Sequence, residues 1–302
     1  MSLETDMLID RRRLKRRLLF WRVTAVAVVI ACIVIVIGPT RPRNHVARLS
    51  VTGEISDTTR AVAALHAMEK DATAKALIVS ISSPGGGVQP SAALHDAIAR
   101  VAAKKPVVAV MGSTAASGGF MIAMPARRVF ASPSTITGSI GVIVQLPEFS
   151  GLMEKIGVTA ETLTSGPLKD QPNPAHKLSD AGRVYLQALV ADMYDQFVTI
   201  VANGRHMDKA KVRELADGRA YTGRQALALG LIDQLGDEGD ATDWLTVNAG
   251  VAADLPVREL RTAGWAETMV AESLGPLLTT SLKTLLYQGV ALDGAKAVWQ
   301  PR

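Results

Sequence analysis

The chain has 302 residues, a net charge of +5 and one cysteine, Cys32. That length builds one large domain or two small ones with a sizeable core, and a single thiol excludes an intrachain disulfide framework. Residues 1–22 carry seven Arg/Lys against three acidic residues, a net of +4, so the rest of the chain holds only +1, which argues against a nucleic-acid-binding protein.

Residues 1–17 form a basic arm, densest from Arg11 to Arg17. Leu18 to Ile37 is apolar apart from Arg22 and Thr24. Twenty residues at helical rise just cross a hydrocarbon core of about 30 Å. Arg22, near the basic end, can snorkel to the interface. A buried core helix and a cleaved signal peptide are the rivals. Gly38-Pro39 follows rather than an Ala-x-Ala site, and the apolar stretch is long for a signal sequence. Arg16-Arg17-Leu18-Leu19-Phe20 has a faint likeness to a twin-arginine signal. The reading adopted is an uncleaved single-pass anchor over 18–38, N-terminus in the cytoplasm by the positive-inside rule, with a linker over 39–45.

From residue 46 the pattern becomes strand, loop and helix in repetition. Val46–Val51 predicts a strand and Thr58–Lys70 a helix, with Val62, Leu65 and Met68 on one face. Ala76–Ile81 is a strand, Ser91–Ala103 a helix, and Val107–Met111 a strand leading to a helix that takes in Met121–Met124. Arg128–Ala131 and Ile140–Val144 read as strands, Phe149–Ile156 as a helix and Thr159–Thr164 as the strand closing the run. Leu178–Arg205 is a long helix with Tyr185, Leu189, Met193, Phe197 and Ile200 along a face. A short helix at Asp208–Ala216 and a strand–helix–strand unit from Arg219 follow. The alternation implies an α/β fold with a largely parallel sheet over residues 46–260. Residues 261–302 read as a C-terminal helical segment, with apolar stretches from Ala271 to Trp299 broken by Gly275, Pro276 and Gly289.

Two turns carry chemistry. Gly112-Ser113-Thr114-Ala115-Ala116-Ser117-Gly118-Gly119-Phe120 puts one serine among small residues at a strand-to-helix turn. Such a turn exposes a nucleophile, and its glycines admit a substrate backbone. An ordinary N-cap serine fits the same residues. Ser82-Ser83-Pro84-Gly85-Gly86-Gly87-Val88 is a glycine-rich turn after a strand. Its N–H groups suit an anion, but it lacks the Walker lysine and the dinucleotide G-x-G-x-x-G, so an oxyanion hole fits better than a nucleotide site.

These two motifs, followed in order by Thr137-Gly138-Ser139-Ile140-Gly141-Val142, resemble the signal peptide peptidase A family of membrane-bound Ser-Lys peptidases. The likeness runs from about Val46 to Asp240. It implies a Clp/crotonase-like fold of repeated β-α-β units behind the transmembrane helix. It implies Ser117 as nucleophile, Gly85, Gly86 and Gly118 as substrate- and oxyanion-binding glycines, and Lys169 of Ser-Gly-Pro-Leu-Lys169-Asp170 as general base, its amine held by Ser139. It further implies hydrophobic peptide substrates such as cleaved signal peptides, a bacterial cell-membrane location with the catalytic domain outside the cytoplasm, and a homo-oligomeric ring with sites shared between subunits, eight being the candidate number. No metal or cofactor is expected. Phe120 and Leu168 depart from the family pattern and are expected to alter the substrate pocket.

Among the residues themselves, a base for Ser117 is not obvious. No histidine occurs between Ser117 and His176. His66 and His95 fall in predicted helices, and His176 stands in a polar loop. Without the resemblance, Lys169 is an ordinary solvated loop lysine. A lysine base must be neutral, and bringing an ordinary amine from a pKa of about 10.4 to about 7–8 requires roughly 3–5 kcal/mol of differential stabilisation. Two other classes stay open: a crotonase-like acyl-CoA enzyme, which needs neither Ser117 nor an anchor, and a non-catalytic membrane scaffold.

Overall fold

The computed structural model describes residues 15–28, 44–260 and 262. The chain divides into two units, Met1–Asn44 and His45–Arg302. In the first, residues 15–28 form helix α1. No helix among the described residues is long and apolar enough to cross a membrane. The predicted anchor over 18–38 runs beyond residue 28, so its second half lies outside the described residues, as does the C-terminal segment apart from Thr262.

The second unit begins with β1 (His45–Thr52), α2 (Thr59–Lys70), β2 (Ala74–Ser83), α3 (Val88–Ala102) and β3 (Val107–Ala116). It continues through α4 (Gly118–Met121), β4 (Arg128–Ala131), β5 (Ile136–Gly138), α5 (Ser150–Lys155), α6 (Asp180–Arg205) and α7 (Lys209–Leu215). β6 (Ala220–Thr222), α8 (Gly223–Ala228), β7 (Gln234–Leu235), α9 (Glu238–Ala249) and β8 (Val257–Glu259) complete it. The strands form one sheet in the order β6-β5-β3-β2-β1-β8, with β4 beside β3 and β7. Every pairing is parallel except β5 with β6.

Both faces of this sheet are covered, which is why β2 reads as a nearly unbroken apolar run rather than an alternating one. Leu77, Val79 and Ile81 join Leu65, Met68, Leu94, Ile98 and Val101 from α2 and α3 in the larger core. Ala76 and Ile78 face the other way, onto Ala241 and Leu245 of α9. Each fully buried Leu or Ile contributes about 1.5–3 kcal/mol relative to exposure, so β2 and the helices sandwiching it anchor the fold. The helices start on local signals. Ser179 Oγ accepts from Gly182 N–H at 3.0 Å ahead of α6, and Asp237 with Asp240 makes a reciprocal capping box at α9.

β3 changes neighbours along its length. Val108–Met111 pair with β4, and Thr114–Ala116 pair with β5. The strand therefore runs five residues past its predicted end at Met111 and delivers the chain directly to Ser117. The helix beyond is shorter than predicted: α4 is a single turn ending at Met121, with Phe120 fully buried beneath it. Phe120 is thus a core residue, not the pocket residue expected from the family comparison.

Two predicted strands are absent. Ile140–Val144 is irregular, and the strand of that region is β5, four residues earlier. Gly138 at φ 75° and Ser139 at φ 49° are both left-handed, and two such residues in succession turn the chain out of the sheet. Thr159–Thr164 is an exposed loop with Leu163 91% exposed, and no strand among the described residues pairs with it. β-Propensity misleads at both places because no neighbouring strand is available. The predicted face of α6 is packed only in its second half: Phe197 is buried, whereas Tyr185 and Leu189 are about 40% exposed.

Candidate active site

The carboxyl ends of β1, β2, β3 and β5 open onto one cleft of about 460 Å³. It is lined by Glu54, Pro84, Gly85, Gly86, Ser117, Ser139, Gly141, Ile143 and Gly218. Ligands of parallel α/β sheets bind at this edge because the strand-to-helix turns present free backbone groups there. Another cleft of about 400 Å³ is lined by His176, Lys177 and Arg183 and contains no candidate nucleophile at a strand end.

Ser117 stands at the N-cap position of α4, but its side chain makes no capping hydrogen bond. Its backbone has φ 52° and ψ −121°, a conformation that costs a non-glycine residue about 1–3 kcal/mol. Two tethers impose it: Ser117 N–H donates to Gly138 O at 2.8 Å, and Met121 N–H donates to Ser117 O at 2.9 Å. The hydroxyl is therefore free on a fixed, strained turn. This is the arrangement that exposes a nucleophilic oxygen above an α/β sheet, and it disposes of the plain N-cap reading.

The glycine-rich turn is pressed against this serine. Gly85 has φ 105°, and a Cβ on it would come within 2.8 Å of Ser117 Cβ and 2.9 Å of Gly118 N. Its N–H is engaged with Ser83 Oγ at 3.1 Å. The turn is also stitched to the segment after β1. Ile55 N–H donates to Gly85 O at 2.8 Å, and Gly87 N–H donates to Ile55 O at 2.9 Å. That bridge uses Gly85 and Gly87 and not the Gly86 N–H. Gly118 is the first residue of α4, where N–H groups lack intrahelical acceptors. The N–H groups of Gly86 and Gly118 are thus left unengaged by these local hydrogen bonds. Behind Gly118 lies Ser91, 1% exposed and with its hydroxyl unpartnered; a Cβ on Gly118 would come within 2.2 Å of that oxygen.

Ser139 is the second non-glycine residue of the cleft at positive φ, and its N–H donates to Arg219 O at 2.9 Å. Lys169 is not among the lining residues. It sits exposed in the loop between α5 and α6, its N–H donating to Gly166 O at 3.1 Å. Asp170 beside it is occupied by the Asn173 amide, which donates to both carboxylate oxygens at 2.9 and 2.8 Å. Leu168 also lies outside the cleft. None of the five histidines lines it either, so no Ser-His pair is seen within a single chain.

The sequence profile of peptidase family S49 matches residues 99–252, and that of Clp protease matches residues 44–137. An Enterococcus faecium protein provisionally named signal peptide peptidase SppA is 38% identical over 260 residues, covering 79% of this chain and 75% of its own. The chain belongs to peptidase family S49. A provisionally named protease of Synechocystis is 44% identical over 217 residues, 71% of this chain and 78% of its own. Protease 4 of Salmonella typhi is 38% identical over 172 residues, 57% of this chain but 28% of the longer relative. The resemblance to the signal peptide peptidase A family holds, the parallel-rich sheet fits a Clp-protease-like fold, and the protein is a serine peptidase.

The structure gathers Ser117, Ser139, Gly85 and Gly86 into one cleft, with Gly118 directly against it, and leaves Lys169 apart within a single chain. Sequence reasoning missed Glu54 and Gly218. A signal existed for Glu54: it follows Gly53 just past β1, and the ends of consecutive parallel strands share one edge.

Proposed function

We propose that the protein is a membrane-anchored S49 endopeptidase in which Ser117 attacks a peptide carbonyl and Lys169 of a neighbouring subunit is the general base. The observation that carries this reading is the uncapped hydroxyl of Ser117 on a strained turn facing the glycine-lined cleft. Ser117 Oγ transfers its proton to the neutral lysine amine as the C–O bond forms. The oxyanion is held by the N–H groups of Gly118 and Gly86, each such donor contributing about 2.7–4 kcal/mol to the transition state. The lysine returns the proton to the leaving amine, and water then hydrolyses the acyl-enzyme. Ser139 orients the amine from the far side of the cleft.

Supply of the lysine by a neighbour is supported by the exposure of its loop and by exposed apolar side chains on and beside α5 and α6, the helices that precede and follow that loop. Ile143, Phe149, Leu152, Ile156, Val184 and Tyr185 are exposed together with Lys169. Exposed apolar side chains of this number suit self-association, and a closed ring, with eight subunits as the candidate number, satisfies every copy equally. In this reading residues 1–17 are the cytoplasmic arm, 18–38 the anchor of a bacterial cell membrane and 39–45 the linker. Residues 46–260 are the peptidase domain outside the cytoplasm, and 261–302 are a C-terminal segment. A ring of narrow sites above a membrane admits extended hydrophobic peptides, such as cleaved signal peptides, and excludes folded proteins. Mixing inactive Ser117→Ala and Lys169→Ala subunits after dissociation tests the shared site. Partial recovery of peptide cleavage is expected; no recovery from proven mixed assemblies contradicts it.

A further inference from the structure

Glu54 is the one ionisable side chain among the described residues that line the Ser117 cleft. It is exposed, and its carboxylate makes no hydrogen bond or ion pair among the described residues. Glu54 also lines an adjoining groove with Asp57 and Arg60, but it alone of these three reaches the Ser117 cleft, and a carboxylate on that wall biases which charges bind there. Its backbone is not free to swing away. Gly53 N–H donates to Ser82 O at 3.0 Å, and Ile55 is held on both sides by Gly85 and Gly87. Glu54 is thus fixed between two residues sewn to the same turn that presents Gly86.

The sheet sets its distance from the chemistry. Glu54 follows β1, the glycine turn follows β2 and Ser117 follows β3, and these are adjacent parallel strands. Neighbouring strands are about 4.8 Å apart, so Glu54 lies roughly 10 Å from Ser117 along the edge of the sheet. An extended peptide advances about 3.3 Å per residue, so this separation corresponds to about three residues. Resting on the assignment of Ser117 as nucleophile, we propose that Glu54 is a specificity-determining residue. It selects peptides carrying a cationic side chain two or three residues from the scissile bond, on one side of it. The apolar peptide expected of the S49 site is then chosen with a flanking lysine or arginine rather than a flanking acid.

The test uses the full-length chain in detergent and fluorogenic peptides of one apolar sequence. Lysine, norleucine or glutamate is placed in turn at each of the three positions before and after the scissile bond. At one position the wild type is expected to prefer lysine over norleucine in kcat/KM by about five-fold, the scale of an exposed charge pair, and the preference shrinks with added salt. Glu54→Gln removes that preference, and Glu54→Lys turns it towards glutamate. Absence of a lysine preference at every position overturns the inference. So does a preference that survives both variants, or a Glu54→Gln enzyme slowed equally on all peptides. Ser117→Ala is run alongside. If it cleaves like the wild type, the site assignment itself falls. If cleavage needs Ser117 but ignores Glu54, only the role of Glu54 is lost.

Discussion

Gly86→Ala tests whether the oxyanion turn depends on the contact with the segment after β1. A Cβ on Gly86 would lie 2.2 Å from Ile55 O, 2.6 Å from Ile55 N and 2.7 Å from Ile55 C, whereas ordinary contact begins near 3.4 Å. All three atoms are backbone, so no rotamer change relieves the clash and the two segments must separate by about 1 Å. Separation breaks the Ile55–Gly85 and Gly87–Ile55 hydrogen bonds at 2.8 and 2.9 Å beside a residue only 3% exposed. Groups left unpaired in such a place cost about 1–3 kcal/mol each, so a destabilisation of about 2–4 kcal/mol is expected. A 1 Å misplacement of positioned donors lowers the rate by about 100-fold. Urea unfolding followed by tryptophan fluorescence, with peptide turnover on the same preparation, measures both. Gly151→Ala is the control: its Cβ meets nothing within 4 Å in α5, and stability should stay within about 1 kcal/mol of wild type, on the stabilising side. Wild-type stability and turnover in Gly86→Ala would refute the claim that this contact holds the turn.

Other outcomes follow from the same geometry. Ser117→Gly should be inactive yet more stable than Ser117→Ala by about 1–2 kcal/mol, because glycine adopts φ 52° without strain; equal melting of the two denies the strain. Asp233 is held below the ordinary carboxylate range: burial pushes it up, but the Arg205 hydrogen bonds and charge, with the Val129 N–H, outweigh that. Its contribution is therefore present above the unfolded value of about 3.9 and lost as pH falls through the lowered folded value. Asp233→Asn, which breaks the 2.7 Å pair with Arg205, should cost about 2 kcal/mol near neutral pH, with the deficit fading in acid; a deficit independent of pH speaks against the pair. Lys169→Ala should abolish peptide cleavage with the fold intact, while Lys177→Ala should have a mild effect. Equal losses in the two count against Lys169 as base.

The parallel sheet was legible because its central strands are buried on both faces and separated by helical patterns. The Ser117 turn and the Gly85–Gly87 turn were legible because only small residues fit there, and the Cβ clearances bear that out. What escaped was decided by tertiary neighbours. β3 extends to Ser117 because it gains β5 as a partner after leaving β4, a change no local pattern announces. Ile140–Val144 has strand composition but follows two left-handed residues. Phe120 lies in a motif next to the nucleophile, yet the single turn of α4 directs it into the core. The loop bearing Lys169 was singled out only through the family resemblance, which also implied a site shared between copies; the residues themselves give neither its role nor its distance from Ser117 within one chain.

The central claim is that Ser117 is the nucleophile of this S49 peptidase, and active-site labelling reaches it most directly. The full-length protein is treated with a fluorophosphonate, and the modified residue is located by peptide mass mapping. A single adduct on Ser117 is expected, lost together with peptide cleavage in Ser117→Ala. An adduct on another serine, or cleavage that persists in Ser117→Ala, would contradict it.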